Sequence, residues 1–143
     1  MTGLDERIAL CILVIDDNHD AADVLGMLLR TLGHQAHVAH DGDTALEQIA
    51  ALRPDLILLD LGMPEMDGYE IARRVRQNAL LAATHIVAVT GYADERRRAL
   101  ALEAGFDDYL VKPIHLADLH AMTKRAGETL ALLRAGGNET LPS

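Results

Sequence analysis

Four short apolar runs in this chain each stop on a residue that can handle phosphate or metal. Residues 8–15 run into Asp16-Asp17, 56–59 into Asp60, 86–89 into Thr90, and 109–111 into Lys112-Pro113. The stretches between them carry apolar residues at helical spacing. Strands alternating with helical patterns imply βαβ units and a parallel sheet. In an open α/β sheet, ligands bind outside the carboxyl ends of the strands. Acids, a hydroxyl and an ammonium therefore converge on one crevice.

The helical periods place the elements. After Asp16-Asp17-Asn18, the residues Ala21, Val24, Leu25, Leu28, Leu29 and Leu32 form an inward stripe, and Gly33 stops the helix. Residues 35–39 are polar for a strand, which puts them at a sheet edge. Asp41-Gly42-Asp43 opens a second helix with Ala45, Leu46, Ile49 and Leu52 inward, stopped near Pro54. The third strand is 55–60, followed by a loop over 61–66. Asp67, three residues before Glu70, has the pattern of a capping box for a helix burying Ile71, Ala72 and Val75. Asp94 caps a helix running through Glu103, with Gly105 beyond its end. A fifth strand spans 106–111. The last helix starts near His115 with Leu116, Leu119, Met122, Ala126 and Leu130 on one side. This divides the chain into an N-terminal extension (1–8), one domain (9–134) and a disordered tail (135–143).

With 143 residues, one core is the natural outcome. No apolar stretch approaches the ~20 residues of a membrane span. The start has no basic segment followed by an apolar core, so a cytoplasmic protein is expected. Cys11 is the single cysteine, which excludes an intrachain disulfide and leaves it as a small core residue. The net charge of −9 argues against nucleic acid as a partner and leaves proteins, metal ions and small anions. Lysine is rare: only Lys112 and Lys124 occur, and one of them ends a strand.

Asp16 and Asp17 end a buried run together, whereas capping the next helix needs only one of Asp17 and Asn18. Asp60 beside them creates a repulsion of about 4 kcal/mol for charges ~4 Å apart. A hard divalent cation removes it, and Mg²⁺ prefers such oxygen ligands. A carboxylate can attack phosphorus, and phosphoryl transfer needs its equatorial oxygens neutralised. Lys112 and Thr90 supply a point charge and a hydroxyl for two of them. Taken singly, a threonine at a strand end or a lysine before proline is unremarkable; the signal is their joint placement. His34, His37 and His40 have no acid or cysteine to complete a metal set, and Arg96-Arg97-Arg98 spread around a helix. His19 falls at the rim of the site.

The segments Val14-Ile15-Asp16-Asp17-Asn18, Leu58-Leu59-Asp60-Leu61-Gly62-Met63-Pro64-Glu65-Met66-Asp67-Gly68, Val89-Thr90-Gly91 and Tyr109-Leu110-Val111-Lys112-Pro113 occur in that order. Together they resemble the receiver domain of two-component response regulators. The resemblance implies a flavodoxin-like five-stranded parallel sheet of order 2-1-3-4-5 flanked by five helices. It implies Asp60 as phosphoacceptor, with Mg²⁺ held by Asp17, Asp60 and the backbone carbonyl of Gly62, and by Asp16 through water. Thr90 and Lys112 would bind the phosphoryl group, Pro113 would follow a cis peptide, and Pro64 and Gly68 would shape the loop beyond the acceptor. Thr90 and Tyr109 would form the switch, Gly62 and Tyr92 would fall at positions that tune phosphate lifetime, and Gly91 departs from the alanine that the family commonly has after the threonine, a smaller residue that leaves an acyl-phosphate more open to water. The implied donor is a sensor histidine kinase or phosphotransfer protein, and the implied output is a protein bound through the fifth strand and last two helices. The chain would be a self-modifying switch, not a turnover enzyme. Two other readings share the chemistry. An aspartate-nucleophile phosphatase of the haloacid dehalogenase type wants a second acid two residues after the first, where Gly62 stands. A degenerate, phosphorylation-independent module would not need the acids, Thr90 and Lys112 that are present.

Overall fold

The computed structural model describes residues 9–63, 67–91 and 94–140, with side chains to residue 133. Its strands are β1 (Cys11–Ile15), β2 (Gln35–Ala39), β3 (Leu56–Asp60), β4 (His85–Thr90) and β5 (Asp108–Val111). Its helices are α1 (His19–Thr31), α2 (Gly42–Leu52), α3 (Gly68–Gln77), α4 (Glu95–Ala104) and α5 (Leu116–Thr140), with a 3₁₀ turn at Ala79–Leu81. The strands form one sheet of order β2-β1-β3-β4-β5, every neighbouring pair parallel. This is the flavodoxin-like arrangement with five helices.

Alternate residues of the central strands serve two cores. Leu13, Ile15, Ile57, Leu59, Ile86 and Ala88 pack with residues of α2, α3 and α4. Ile12, Val14, Leu56, Leu58, Val87 and Val89 pack with residues of α1 and α5. The period of two along a strand sends successive side chains to opposite faces, so strands covered on both sides read as unbroken apolar runs. β2 lies at the edge, as its polarity requires.

The helix starts follow the sequence signals. Asn18, Asp41, Asp67 and Asp94 accept backbone N–H bonds at the starts of α1, α2, α3 and α4. The Glu70 carboxylate reaches Arg73 and Arg74, so the cap of α3 comes from Asp67 with Tyr69 N–H at 2.9 Å. Gly68 is buried under the turn after β3, where an added Cβ would lie 2.9 Å from Leu61 Cδ2.

Four expectations change. Val24 is 53% exposed, because α1 meets the sheet through Ala22, Leu25 and Leu29, a narrower stripe than assumed. Leu116 is 44% exposed; α5 reaches the core one turn later, at Leu119. The backbone of α5 continues to Thr140, past the boundary expected at residue 134; Gly136 and Gly137 weaken a helix by about 1 kcal/mol each without ending it. β5 is also shorter than 106–111, since Phe106 enters the core from the turn before it. Pro64, Tyr92, the N-terminal extension and residues 141–143 lie outside the described residues.

Candidate functional site

Parallel pairing brings the ends of β1, β3 and β4 level at one edge of the sheet. Ile15 pairs with Leu59, and Asp60 with Val89. Lys112 N–H donates to the Thr90 carbonyl at 2.8 Å, which sets the end of β5 beside that of β4. Asp16, Asp17, Asp60, Thr90 and Lys112 therefore meet at one crevice, from positions up to 96 residues apart in sequence (112 − 16).

The three acids are close. Each offers a carboxylate oxygen within 4.8 Å of the others. Asp16 and Asp60 are buried and Asp17 is exposed, so the group opens to solvent on Asp17's side. Lys112 Nζ lies 3.6 Å from Asp16 Oδ2 and 3.6 Å from Asp60 Oδ1. Asp60 Oδ1 also accepts the Gly62 N–H at 3.0 Å, and Asp16 Oδ1 accepts the Asn18 N–H at 3.0 Å.

The arrangement carries an unresolved charge. Asp16 Oδ2 is buried without a hydrogen bond, and burial, opposed by the Asn18 N–H and aided by the Asp60 charge, pushes the Asp16 carboxyl up from 3.8. One ammonium shared between two buried carboxylates leaves the trio net negative. Oxygen donors in this number, one of them orphaned, fit a hard divalent cation such as Mg²⁺. Asp16, Asp17 and Asp60 each offer a carboxylate oxygen toward such an ion, and Gly62 lies beside Asp60, its N–H bonded to Asp60 Oδ1.

The remaining expected residues are placed as follows. Thr90 is buried at the end of β4. Tyr109 packs, half-buried, against the core shared with α3 and α4, opposite Ala88 in the register. The Lys112–Pro113 peptide is cis. An added Cβ at Gly62 would touch the acceptor, 3.4 Å from Asp60 Oδ1, whereas one at Gly91 would meet nothing within 4 Å.

One pair near the acids carried no sequence signal. The His19 and His40 rings stack with centroids 3.7 Å apart and planes 9° from parallel. His40 Nδ1 lies 3.2 Å from the Asp16 carbonyl oxygen. His34 is used otherwise, its Nδ1 accepting the Leu10 N–H at 3.0 Å. The residues facing each other belong to different βα units, so no local period announces them.

Comparison with known proteins agrees with this geometry. The family model described as the response regulator receiver domain matches residues 12–124. The regulatory protein AtoC of Escherichia coli is 34% identical over 115 residues, covering 80% of this chain and 24% of that protein. The DNA-binding response regulator MtrA of Mycobacterium tuberculosis is 39% identical over 113 residues, covering 79% of this chain and 48% of that one. The chain thus spans about a quarter to a half of these relatives' length. Among solved structures, the receiver domain of the sensor histidine kinase PA1611 from Pseudomonas aeruginosa, described with a magnesium ion coordinated in its active-site cleft, superposes with a TM-score of 0.75 at 33% identity, covering 84% of this chain and 99% of that one.

Proposed function

The chain belongs to the response regulator receiver family, and from that premise we propose that it is a signalling switch driven by phosphorylation of Asp60. The donor is a phosphohistidine on a sensor kinase or phosphotransfer protein. An Asp60 carboxylate oxygen attacks the phosphorus, the P–N bond to the donor imidazole breaks, and the imidazole leaves with the bonding pair and takes up a proton. The observation that carries this reading is the acid trio with one buried, unbonded oxygen and Lys112 poised between Asp16 and Asp60.

Each residue has a role. Asp17, Asp60 and the Gly62 carbonyl hold Mg²⁺, with Asp16 acting through water. The ion supplies neutralisation of one phosphoryl oxygen and of the crowded acids. Lys112 Nζ neutralises a second oxygen, and the Thr90 hydroxyl donates to a third. The new group adds roughly −1.5 to −2 charge at neutral pH. Thr90 moves toward it, Tyr109 repacks into the vacated space, and the face of α4, β5 and α5 changes for a protein partner. Gly62 and Gly91 leave the acyl-phosphate open to water, which favours self-limited signalling. The chain is the substrate and helper of its own modification, not a turnover enzyme, and its place is the cytoplasm.

Labelling with acetyl phosphate and Mg²⁺ tests the assignment. Intact mass rises by one phosphoryl group in the wild type and stays unchanged in Asp60→Asn. Equal labelling of both overturns the acceptor; no labelling of the wild type leaves a degenerate interaction module.

A further inference from the structure

Asp16-Asp17-Asn18 leaves β1 as an irregular turn, yet it must present carboxylates in a fixed arrangement. Most of its polar groups are pinned locally. Asp16 N–H donates to the Ala39 carbonyl at 3.1 Å. Asp16 Oδ1 accepts the Asn18 N–H at 3.0 Å. Asn18 Oδ1 accepts the Ala21 N–H at 3.0 Å, which fixes the start of α1. None of these bonds is made by the Asp16 carbonyl, which belongs to the peptide link leading into Asp17. Asp17 itself is exposed, so no packing aims its carboxylate.

His40 addresses that link. It follows the last residue of β2 and is half-buried, and its Nδ1 lies 3.2 Å from the Asp16 carbonyl oxygen. A carbonyl oxygen only accepts, so Nδ1 carries the proton. The Asp16 carbonyl shares one rigid plane with the Asp17 N–H. Holding that oxygen therefore sets the direction in which the Asp17 backbone leaves the turn. The His19 ring, at the first position of α1, stacks on the His40 ring at 3.7 Å.

We infer that His40, steadied by His19, is a positioning residue that aims the Asp17 carboxylate into the metal site through the Asp16–Asp17 peptide. The inference rests on the reading of Asp17 as a Mg²⁺ ligand. His40 touches neither metal nor phosphoryl group; it lowers the ordering that the exposed ligand must undergo on binding, which is how pre-organisation raises affinity.

Calorimetric Mg²⁺ titration of the full chain tests it, with thermal unfolding followed by circular dichroism. Two donorless variants, His40→Phe (which keeps a ring for His19) and His40→Ala, are compared with His40→Asn, whose amide nitrogen stands near the place of Nδ1. The expected result is a Kd raised about three- to tenfold in His40→Phe and His40→Ala, the order of one lost hydrogen bond, with His40→Asn within about twofold of wild type. Helical content stays unchanged throughout. Wild-type affinity in both donorless variants overturns the inference while the metal site stands. So does His40→Asn binding as weakly as His40→Ala. A wild type that takes up no Mg²⁺ overturns the metal reading and this inference together.

Discussion

Asp16 is a buried acid whose surroundings favour its uncharged form. It is 2% exposed, faces Asp60, and has one oxygen without a hydrogen bond. With its folded pKa raised above the ordinary 3.8, the folded state holds the proton more tightly than the unfolded chain does. Between 3.8 and the raised value, metal-free stability therefore falls as pH rises. Asp16→Asn should stabilise the metal-free protein near neutral pH by about 1 kcal/mol, the order of one unsatisfied buried polar group. It should also flatten that acid-side slope, as read from urea unfolding at several pH values. The same substitution should weaken Mg²⁺ binding, since the strain it relieves is what the ion relieves in the wild type.

At the scale of elements, the proposed switch would work above a tightly tied floor. At the floor, the Arg76 guanidinium donates to the Gly105 carbonyl at 2.9 Å, to the Thr84 carbonyl at 2.7 Å, and to the Asp107 carboxylate. Asp107 in turn accepts the Ile86 N–H at 2.8 Å. One side chain thus joins the end of α3, the start of β4 and the turn from α4 to β5. Gly105, at φ 105°, is the residue that fits there: an added Cβ would lie 2.6 Å from Arg76 Cγ. Arg76→Ala should cost about 2 kcal/mol in urea unfolding, the order of one or two charge-assisted bonds. Above it, Tyr109 is half-buried against the core shared with α3 and α4. In Tyr109→Ala, acetyl phosphate should still label Asp60, but the accompanying change in amide hydrogen exchange across α4 and β5 should shrink or vanish. An undiminished exchange change in that variant refutes the switch role.

For the whole molecule, two cores on opposite faces of one sheet carry the stability, and the acids at the strand ends oppose it. A ligand that binds only the folded state adds RT ln(1 + [L]/Kd), or about 2.7 kcal/mol at 100 times Kd. Mg²⁺ should therefore raise the thermal midpoint in a saturable way. The rise should disappear in the double variant Asp17→Ala/Asp60→Asn, whose midpoint without metal should exceed that of the wild type. Differential scanning calorimetry with and without Mg²⁺ reads both. Among the described residues no helix is long and apolar enough to cross a membrane.

The parallel sheet and the list of strand-end residues were legible in the sequence, because each rests on a local signal, whereas the strand order came from the family resemblance. Unbroken apolar runs mark strands covered on both faces, helical periods mark the crossovers, and caps such as Asn18, Asp41 and Asp94 mark the starts. The roles of Asp60, Thr90 and Lys112 came from the family resemblance, which local chemistry alone had left open. Which residues of α1 and α5 face inward was decided only by docking: Val24 and Leu116 fit a helical period as well as Leu25 and Leu119 do, but the sheet covers a narrower and shorter stripe. The stacking of His19 on His40, the bond from His40 to Asp16, and the Arg76 fork link positions 8 to 31 residues apart. Such pairs have no period to betray them; they exist because parallel strands set the ends of separate βα units side by side.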